Sequence, residues 1–197
     1  GIAKSAAEIE QLLQKRQDSV LVVDEAYVDF GAVSVLPLVN LYDNLLVIQT
    51  FSKSRSMAGA RLGFAAGCAE LIRDLNTLKY STNPYNVNRM TSAAGIAALQ
   101  EDTYYRENAR IIGENRDFTT NALRELGFFV PDSKANFIFA RSEQINGGKL
   151  YRDLKERGIL VRHFDKPRIE NYVRITIGTR EQMKALLKEI KAILEEQ

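Results

Sequence analysis

The chain has 197 residues, which is enough for one large domain or two small ones. Hydrophobic residues make up 45% of it, so a sizeable core can form, and the formal net charge is only +2. No basic block or basic–aromatic interleaving is present, which argues against nucleic acid as a partner. The single cysteine, Cys68, excludes an internal disulfide, and no signal-peptide pattern or membrane-spanning apolar run occurs. We therefore expect a soluble cytoplasmic protein without a membrane partner.

The first residues of the chain lead directly into a helical pattern, and no methionine initiates it. We therefore expect this sequence to be the later part of a longer protein. Ser5, with Glu8 three residues further on, matches a capping box. This pattern predicts a helix that runs through about Arg16.

Three apolar runs in the first half of the chain predict β-strands, at residues 20–23, 45–48 and 62–67. The first two runs are continuously apolar, which is typical of strands buried on both faces of a sheet. Helical periodicity predicts helices at residues 69–78 and 88–99. Buried strands separated by long segments indicate an α/β fold.

The second half of the chain has shorter elements after one long amphipathic helix, which is predicted at 104–126 and ended by Gly127. Strands are predicted at 128–130, 136–140, 159–161 and 172–177, and helices at 150–157 and 181–196, the last with Thr179 as its N-cap. This pattern suits a smaller α+β domain. We predict two domains, residues 1–105 and residues 106–197.

Asp24 and Glu25 follow the first predicted strand, at the edge of the sheet where α/β proteins bind ligands. Three interpretations are open: Asp24 pairs with a pyridinium nitrogen, the two acids hold magnesium in a nucleotide hydrolase, or they only cap a turn. The magnesium interpretation needs a glycine-rich loop ending in Gly-Lys-Ser/Thr. This sequence contains no such loop, so that interpretation is weakened.

Lys53 follows the second predicted strand and lies between the hydroxyl groups of Ser52 and Ser54, with Thr50 before them and Arg61 eight positions later. Hydroxyl groups and arginine suit a phosphate, while a lysine amine suits a carbonyl carbon. We expect Lys53 to be buried, because desolvation of an amine favours the neutral, nucleophilic form. The pattern therefore favours a lysine that forms a Schiff base with pyridoxal phosphate over an ordinary surface lysine.

Arg174 lies inside an apolar predicted strand, where a guanidinium group needs an anion as a partner. Arg162, near the end of another predicted strand, is a second candidate for the same task. The anion is either a structural carboxylate or the carboxylate or phosphate of a substrate. His163 is the only histidine, so no zinc site and no metal ligand is expected.

Four motifs occur here in the order and rough spacing that is typical of class I/II aminotransferases. They are Val23-Asp24-Glu25-Ala26-Tyr27, Thr50-Phe51-Ser52-Lys53 with Arg61-Leu62-Gly63, Pro84-Tyr85-Asn86-Val87, and Val173-Arg174-Ile175-Thr176-Ile177-Gly178-Thr179. Together they look most like the histidinol-phosphate aminotransferases. The resemblance covers essentially the whole chain. It implies the aspartate aminotransferase-like fold, with residues 1–105 as the later part of the cofactor-binding large domain and residues 106–197 as the small C-terminal domain.

The resemblance implies pyridoxal 5′-phosphate as the cofactor and a role for each of nine residues. Lys53 would form the Schiff base, Asp24 would pair with the pyridine nitrogen, Tyr27 would contact the 3-hydroxyl oxygen, and Thr50, Ser52 and Arg61 would bind the cofactor phosphate. Arg174 would bind the substrate carboxylate or phosphate, with Arg162 and Asn136 as weaker candidates. Members of this family carry about as much chain again before the position of Gly1, including part of the cofactor site.

The implied reaction is amino transfer from L-histidinol phosphate to 2-oxoglutarate, which yields imidazole acetol phosphate and L-glutamate in histidine biosynthesis. The implied assembly is a homodimer. Two rivals are open beside it: a related pyridoxal phosphate enzyme such as a threonine-phosphate decarboxylase, and a folded but non-catalytic fragment.

Overall fold

The computed structural model describes residues 1–196 and divides the chain into two compact units. The N-terminal unit comprises residues 3–108, and the C-terminal unit comprises residues 1–2 together with residue 109 onward. Each unit contains helices and one β-sheet, so the predicted α/β class is confirmed. Within residues 1–196, no helix combines the length and the apolar character that a membrane span requires.

The N-terminal unit is built around a three-stranded sheet in the order β1-β2-β3. Its elements are α1 (Ala6–Lys15), β1 (Leu21–Asp24), β2 (Leu45–Thr50), β3 (Gly63–Gly67), α2 (Ala69–Thr82) and α3 (Arg89–Gln100). Strands β1 and β2 are parallel, and β3 is antiparallel to β2. The parallel pair places the carboxyl ends of β1 and β2 at the same edge of the sheet.

Helix α1 begins where the sequence predicts it. The Ser5 side chain accepts a hydrogen bond from the Glu8 amide, and the Glu8 carboxylate accepts one from the Ser5 amide. This capping box satisfies two backbone groups that the first turn of a helix otherwise leaves open. The buried side of α1 packs on one face of the sheet, where a small core contains Ile9, Leu13, Val35, Leu45 and Val47.

The prediction that β1 is buried on both faces is wrong. Its residues alternate between half-buried and exposed, and Val22 keeps 51% of its surface. Strand β2 is better covered, but Ile48, the strand neighbour of Asp24, is also exposed. The cause is that α1 covers only the face carrying Leu21 and Val23. An apolar run shows that both faces of a strand could be buried. How many faces are buried depends on which elements pack against the sheet.

The C-terminal unit contains a four-stranded antiparallel sheet in the order β4-β5-β7-β6. Helix α4 (Asp102–Glu125) begins in the N-terminal unit, and the elements after it are β4 (Phe128–Phe129), β5 (Phe137–Ser142), α5 (Gly147–Glu156), β6 (Arg162–His163), β7 (Tyr172–Thr176) and α6 (Arg180–Glu195). Alternate residues of β5 and β7, namely Ile138, Ala140, Val173 and Ile175, point into a core with the helices. The other face of these two strands carries aromatic and arginine side chains.

One predicted strand lies in the wrong place. Residues 159–161 were predicted as a strand from their apolar character, but the strand at this point is β6, Arg162–His163. Ile159 and Val161 contribute instead to the hydrophobic core as partly buried side chains. Strand β6 forms where Arg162 pairs with Arg174 and His163 with Val173, and a pairing of this kind leaves no local signal in an apolar run.

Candidate functional site

Most of the predicted cofactor residues lie where the parallel strands β1 and β2 end. Asp24 is the last residue of β1 and pairs in register with Ile48 of β2, and Thr50 ends β2 two residues later. A loop of residues 51–62 then connects β2 to β3; we call it the lysine loop. The topology therefore brings Asp24, Tyr27, Thr50 and the loop that carries Lys53 to one edge of the sheet.

Asp24 is exposed at this edge. One oxygen of its carboxylate accepts a hydrogen bond of 3.0 Å from the Ala26 amide, which fixes the turn after the strand. A carboxylate has several further acceptor positions, so this bond leaves Asp24 able to accept a proton-bearing nitrogen. Tyr27 follows the same turn, and its ring centroid lies 5.6 Å from Nζ of Lys53.

The hydroxyl groups at the end of β2 form a small local network. Oγ1 of Thr50 donates to Oγ of Ser52 at 2.9 Å and accepts from the Ser52 amide at 3.1 Å. Both residues are half-buried, so the two oxygens have fixed positions but are not fully enclosed. Adjacent hydroxyl groups on a turn of this kind are suitable donors to a phosphate.

Lys53 is exposed, so the prediction that this lysine is buried is wrong for the chain as described. Phe51, two residues before it in the lysine loop, is buried. Within residues 1–196, Nζ of Lys53 has neither a hydrogen bond nor an ion pair. Its position is therefore determined by the backbone of the lysine loop and by the ring of Tyr27.

Arg61 closes the lysine loop in a left-handed conformation, with φ of 55°. Its Nη1 donates to the carbonyl of Ala58 at 3.0 Å, and the guanidinium group is exposed. Two residues later, Gly63 pairs with Thr50 across β2 and β3. The backbone of Arg61 therefore lies near the end of β2, where the hydroxyl groups of Thr50 and Ser52 are located.

The predicted substrate residues belong to the C-terminal unit, on the face of its sheet opposite the core. Arg174 and Arg162 are register partners on β7 and β6, so their side chains leave the sheet on the same face. The Arg174 guanidinium lies over the rings of Phe137 and Phe164, at 5.2 and 5.8 Å from their centroids. Arg162 lies over Phe164 at 5.4 Å.

Two arginines side by side on a sheet repel each other unless an anion lies near them. Within residues 1–196, neither Arg162 nor Arg174 has a carboxylate partner, and Nε of Arg174 is buried without a hydrogen-bond acceptor. Aromatic rings stabilise the cations but accept no conventional N–H bond. This arrangement has the chemistry of an anion site. Asn136 is half-buried directly before β5, where its carbonyl accepts a bond from the Ile177 amide at 2.9 Å.

The sequence model of the family described as aminotransferase class I and II matches residues 1–190. The chain belongs to the class I and II aminotransferases. This membership agrees with the placement of a lysine, two hydroxyl groups and an acid at the ends of β1 and β2.

Among related sequences, the chain is 49% identical to the histidinol-phosphate aminotransferase of Acinetobacter baumannii strain AYE over 190 residues, which covers 96% of this chain and 53% of the relative. It is 45% identical to the histidinol-phosphate aminotransferase of Brachyspira hyodysenteriae, with 98% of this chain and 55% of the relative covered. The chain thus spans about half the length of these curated relatives.

Among solved structures, the histidinol-phosphate aminotransferase of Clostridium acetobutylicum matches with a TM-score of 0.88 at 25% identity, over 98% of this chain and 60% of that one. The L-threonine-O-3-phosphate decarboxylase of Porphyromonas gingivalis matches with a TM-score of 0.83 at 25% identity, with the same coverage. The histidinol-phosphate aminotransferase of Sinorhizobium meliloti, solved with pyridoxal-5′-phosphate, shares the fold with a TM-score of 0.79 at 22% identity, over 95% of this chain and 53% of that one. These matches confirm the predicted fold, which is part of the aspartate aminotransferase-like fold.

Two side chains beside the predicted set, Glu25 and Arg55, make contacts that the sequence did not predict. Glu25 is buried, and its oxygens accept hydrogen bonds from Oγ of Ser34, the amide of Val35 and Nε2 of Gln49, at 2.7, 2.6 and 2.8 Å. These three donors occupy the carboxylate, which argues against a magnesium-binding acid pair at Asp24–Glu25. The second side chain is Arg55, in the lysine loop. Only its position two residues after Lys53 singles it out in the sequence.

Proposed function

We propose that this chain carries the lysine-bearing part of a pyridoxal 5′-phosphate site and serves in amino transfer between L-histidinol phosphate and 2-oxoglutarate. The observation that carries the proposal is the position of Lys53, at the carboxyl ends of two parallel strands and beside Tyr27 and the Thr50–Ser52 hydroxyl pair. The names of the relatives, at 45–49% identity, support the substrate pair. Products would be imidazole acetol phosphate and L-glutamate.

The donor set present here fits that cofactor. Pyridoxal phosphate, when bound, supplies an aldehyde carbon and an electron-withdrawing pyridinium ring. Asp24 is a carboxylate with open acceptor positions, which suits a protonated ring nitrogen. Thr50, Ser52 and Arg61 provide two hydroxyl groups and a guanidinium group, which suit a phosphate. The positively charged ring nitrogen would thus meet the carboxylate of Asp24, and the negatively charged phosphate would meet the guanidinium group of Arg61.

Each of these side chains would do one task. Asp24 would keep the ring nitrogen protonated, because a carboxylate beside it favours its charged form. Tyr27 would donate to or accept from the 3-hydroxyl oxygen of the ring. The amine of Lys53 would bond the cofactor aldehyde in the resting enzyme and, when released, would move a proton as a general base and acid.

Arg174 would bind the carboxylate or phosphate of the substrate, with Arg162 and Asn136 beside it in the C-terminal unit. The two guanidinium groups together suit a dianionic phosphate better than a single carboxylate, because a phosphate can accept from both. Their lack of a carboxylate partner in residues 1–196 and the unbonded Nε of Arg174 support this assignment. Replacing Arg174 by Ala in a full-length enzyme would weaken substrate binding while leaving cofactor binding unchanged.

We also propose that residues 1–105 are the later part of a cofactor-binding large domain, that residues 106–197 are a small C-terminal domain, and that the assembly is a homodimer. The family membership supports all three statements. Sedimentation of the purified protein with and without cofactor measures the third directly.

The test of cofactor binding is to add pyridoxal 5′-phosphate below the lysine concentration, reduce with borohydride, and map the modified lysines. Lys79 is a matched internal control: it is exposed and lies 5.4 Å from the ring of Tyr80, much as Lys53 lies beside Tyr27. The hydroxyl groups near it in the sequence, those of Thr77, Ser81 and Thr82, donate to carbonyls of their own helix. We expect Lys53 to be labelled about tenfold more than Lys79. Equal labelling would show that the chain by itself forms no cofactor site, as the fragment hypothesis holds.

A second candidate reaction is decarboxylation of a phosphorylated amino acid. The solved decarboxylase of Porphyromonas gingivalis supports it, since that enzyme resembles the chain nearly as closely as the Clostridium aminotransferase does. Cofactor labelling does not separate the two. With the full-length protein, formation of L-glutamate from 2-oxoglutarate supports amino transfer, whereas release of carbon dioxide from L-threonine phosphate supports decarboxylation.

A further inference from the structure

We propose that Arg55 is a positioning residue that fixes the lysine loop, and with it Lys53, to the junction of helices α3 and α4. The contacts that carry this proposal lie within the N-terminal unit and do not depend on any ligand. The consequence for catalysis rests on the proposed function, because it matters only if Lys53 is the reacting amine.

The lysine loop is closed by backbone hydrogen bonds between its own residues. The Phe51 amide donates to the Leu62 carbonyl at 3.0 Å, and the Met57 amide donates to the Phe51 carbonyl at 3.0 Å. Between them, a turn is closed by the Ser56 amide, which donates to the Lys53 carbonyl at 3.2 Å. Lys53 occupies the first position of this turn, so the orientation of the turn determines where its side chain points.

This turn contains a strained residue. Ser56 has φ of 56°, in the left-handed region, which costs a residue other than glycine roughly 1–2 kcal/mol. Such a conformation persists only where surrounding contacts determine it. The backbone of the turn therefore needs an anchor beyond its own hydrogen bonds.

Arg55 supplies that anchor on one side. Its Nη1 donates to the Ala98 carbonyl at 3.0 Å, and its Nη2 donates to Oδ1 of Asp102 at 2.5 Å. The guanidinium group also lies over the ring of Tyr105, 5.1 Å from its centroid. Only 16% of the Arg55 side-chain surface is exposed, so water screens these contacts less than it screens a surface ion pair.

The partners of Arg55 lie at two helix ends: the C-terminal end of α3, which favours a cation, and the N-terminal end of α4, which favours an anion. Ala98 belongs to the last turn of α3, whose final carbonyls have no partner within the helix. Asp102 is the first residue of α4, where a negative charge is favoured. The hydrogen bond from Arg55 also holds the pKa of the Asp102 carboxyl below its usual value. The ion pair is therefore present throughout the neutral pH range.

Ser54 anchors the loop on the other side, through a hydrogen bond from its hydroxyl group to Asp29. Asp29 lies in the short helical turn that begins directly after Tyr27. The two residues that follow Lys53 are thus tied to two different parts of the fold. Lys53 itself has no such tie, so this pair of contacts is what directs its amine toward the ring of Tyr27.

The test compares Arg55→Ala with Arg106→Ala in the full chain. Arg106 is a matched control because it also pairs with Asp102, yet 81% of its side chain is exposed, and within the described residues it has no hydrogen bond or ion pair to the lysine loop. Backbone hydrogen exchange of residues 51–57, measured without cofactor, reports the loop directly. We expect Arg55→Ala to speed it about tenfold relative to exchange in the C-terminal unit, and Arg106→Ala to leave it within about twofold.

The second readout is the Lys53-to-Lys79 labelling ratio with pyridoxal 5′-phosphate and borohydride. We expect this ratio to fall in Arg55→Ala and to recover in part in Arg55→Lys, which keeps a charge for Asp102 but loses the fork that also reaches Ala98. Should Arg55→Ala fail to fold, Arg55→Lys is compared with the wild-type chain, and faster exchange confined to residues 51–57 is the expected result.

Unchanged exchange of residues 51–57 in Arg55→Ala would overturn the proposal, as would exchange that rises equally throughout the N-terminal unit, since that result indicates a general loss of stability. Failure of the cofactor proposal looks different. In that case the wild-type chain shows no preference for Lys53 over Lys79, while the exchange measurement still decides the role of Arg55.

Discussion

Removing the Glu25 carboxylate should destabilise the N-terminal unit far more than removing an exposed acid. Glu25 is only 8% exposed, and its three donors come from the segment between β1 and β2 and from β2 itself. In Glu25→Ala, the amide of Val35, a residue that is 2% exposed, loses its acceptor, and so do the side chains of Ser34 and Gln49. A buried donor left without an acceptor costs about 1–3 kcal/mol.

Ser34 and Gln49 are half-buried and can turn toward water, so the Val35 amide accounts for most of the loss. We expect Glu25→Ala to lower the free energy of unfolding of this unit by about 3 kcal/mol. Glu25→Gln keeps the shape and one acceptor oxygen, so its loss should be about half as large. The matched control is Asp43→Ala, which removes an exposed carboxylate from the same unit.

The assay is urea unfolding followed by circular dichroism, with hydrogen exchange of the Val35 amide as a local readout. Exchange at Val35 should accelerate in Glu25→Ala even under conditions where the unit remains folded. The reasoning is refuted if Glu25→Ala and Asp43→Ala differ by less than about 0.5 kcal/mol, which is the usual scatter for surface substitutions.

Two further predictions concern local structure. Hydrogen bonds from Lys4 and then from Ser5 lower the pKa of Glu8 to about 2, so its contribution is complete above the unfolded value of 4.5 and is lost as the pH falls toward 2. In thermal unfolding, the Tm of the wild type should therefore exceed that of Glu8→Gln at pH 7, and this gap should shrink as the pH falls toward 2. A gap that does not depend on pH would contradict this. Gly147→Ala should destabilise the C-terminal unit by at least about 2 kcal/mol, because a Cβ atom at this position would lie 2.6 Å from the backbone of Asn171. Gly113 lies inside α4, where a Cβ atom would meet no close contact, so Gly113→Ala should stabilise the unit by about 0.5–1 kcal/mol. Urea unfolding of the two variants measures both changes in the free energy of unfolding, and changes of the same sign would disprove this prediction.

Elements with a local signal were predictable from the sequence. Ser5 and Thr179 cap α1 and α6 with the predicted capping geometry, and Gly127 ends the long helix with φ of 83°. The start of α5 was predicted three residues late, because Gly147 and Gly148 disfavour a helix in isolation. Asn146, whose side chain accepts from the amides of Gly148 and Lys149, was the available signal for that start.

Features that depend on distant partners were not predictable. The exposure of Val22 follows from the single layer of helix on the sheet, and the place of β6 follows from its pairing with β7. Arg55 was missed for the same reason, since its partners Ala98 and Asp102 lie 43 and 47 residues away. A motif states which residues the chemistry needs, whereas the residues that hold them in place are determined by the fold.

The exposure of Lys53 bears on how its reactivity would arise. Because Lys53 is exposed, burial by this chain is not what would make its amine reactive. The chain does fix the orientation of the Lys53 side chain. Ser54 and Arg55 hold the backbone of the turn through hydrogen bonds to two different parts of the fold, and the ring of Tyr27 faces the amine. A lysine that is oriented but exposed gains reactivity only when further protein surface or the cofactor itself excludes water from it. Addition of the polypeptide that forms the remaining half of a relative's length should therefore raise Lys53 labelling in the wild-type chain, and should do so less in Arg55→Ala, because exclusion of water cannot replace orientation.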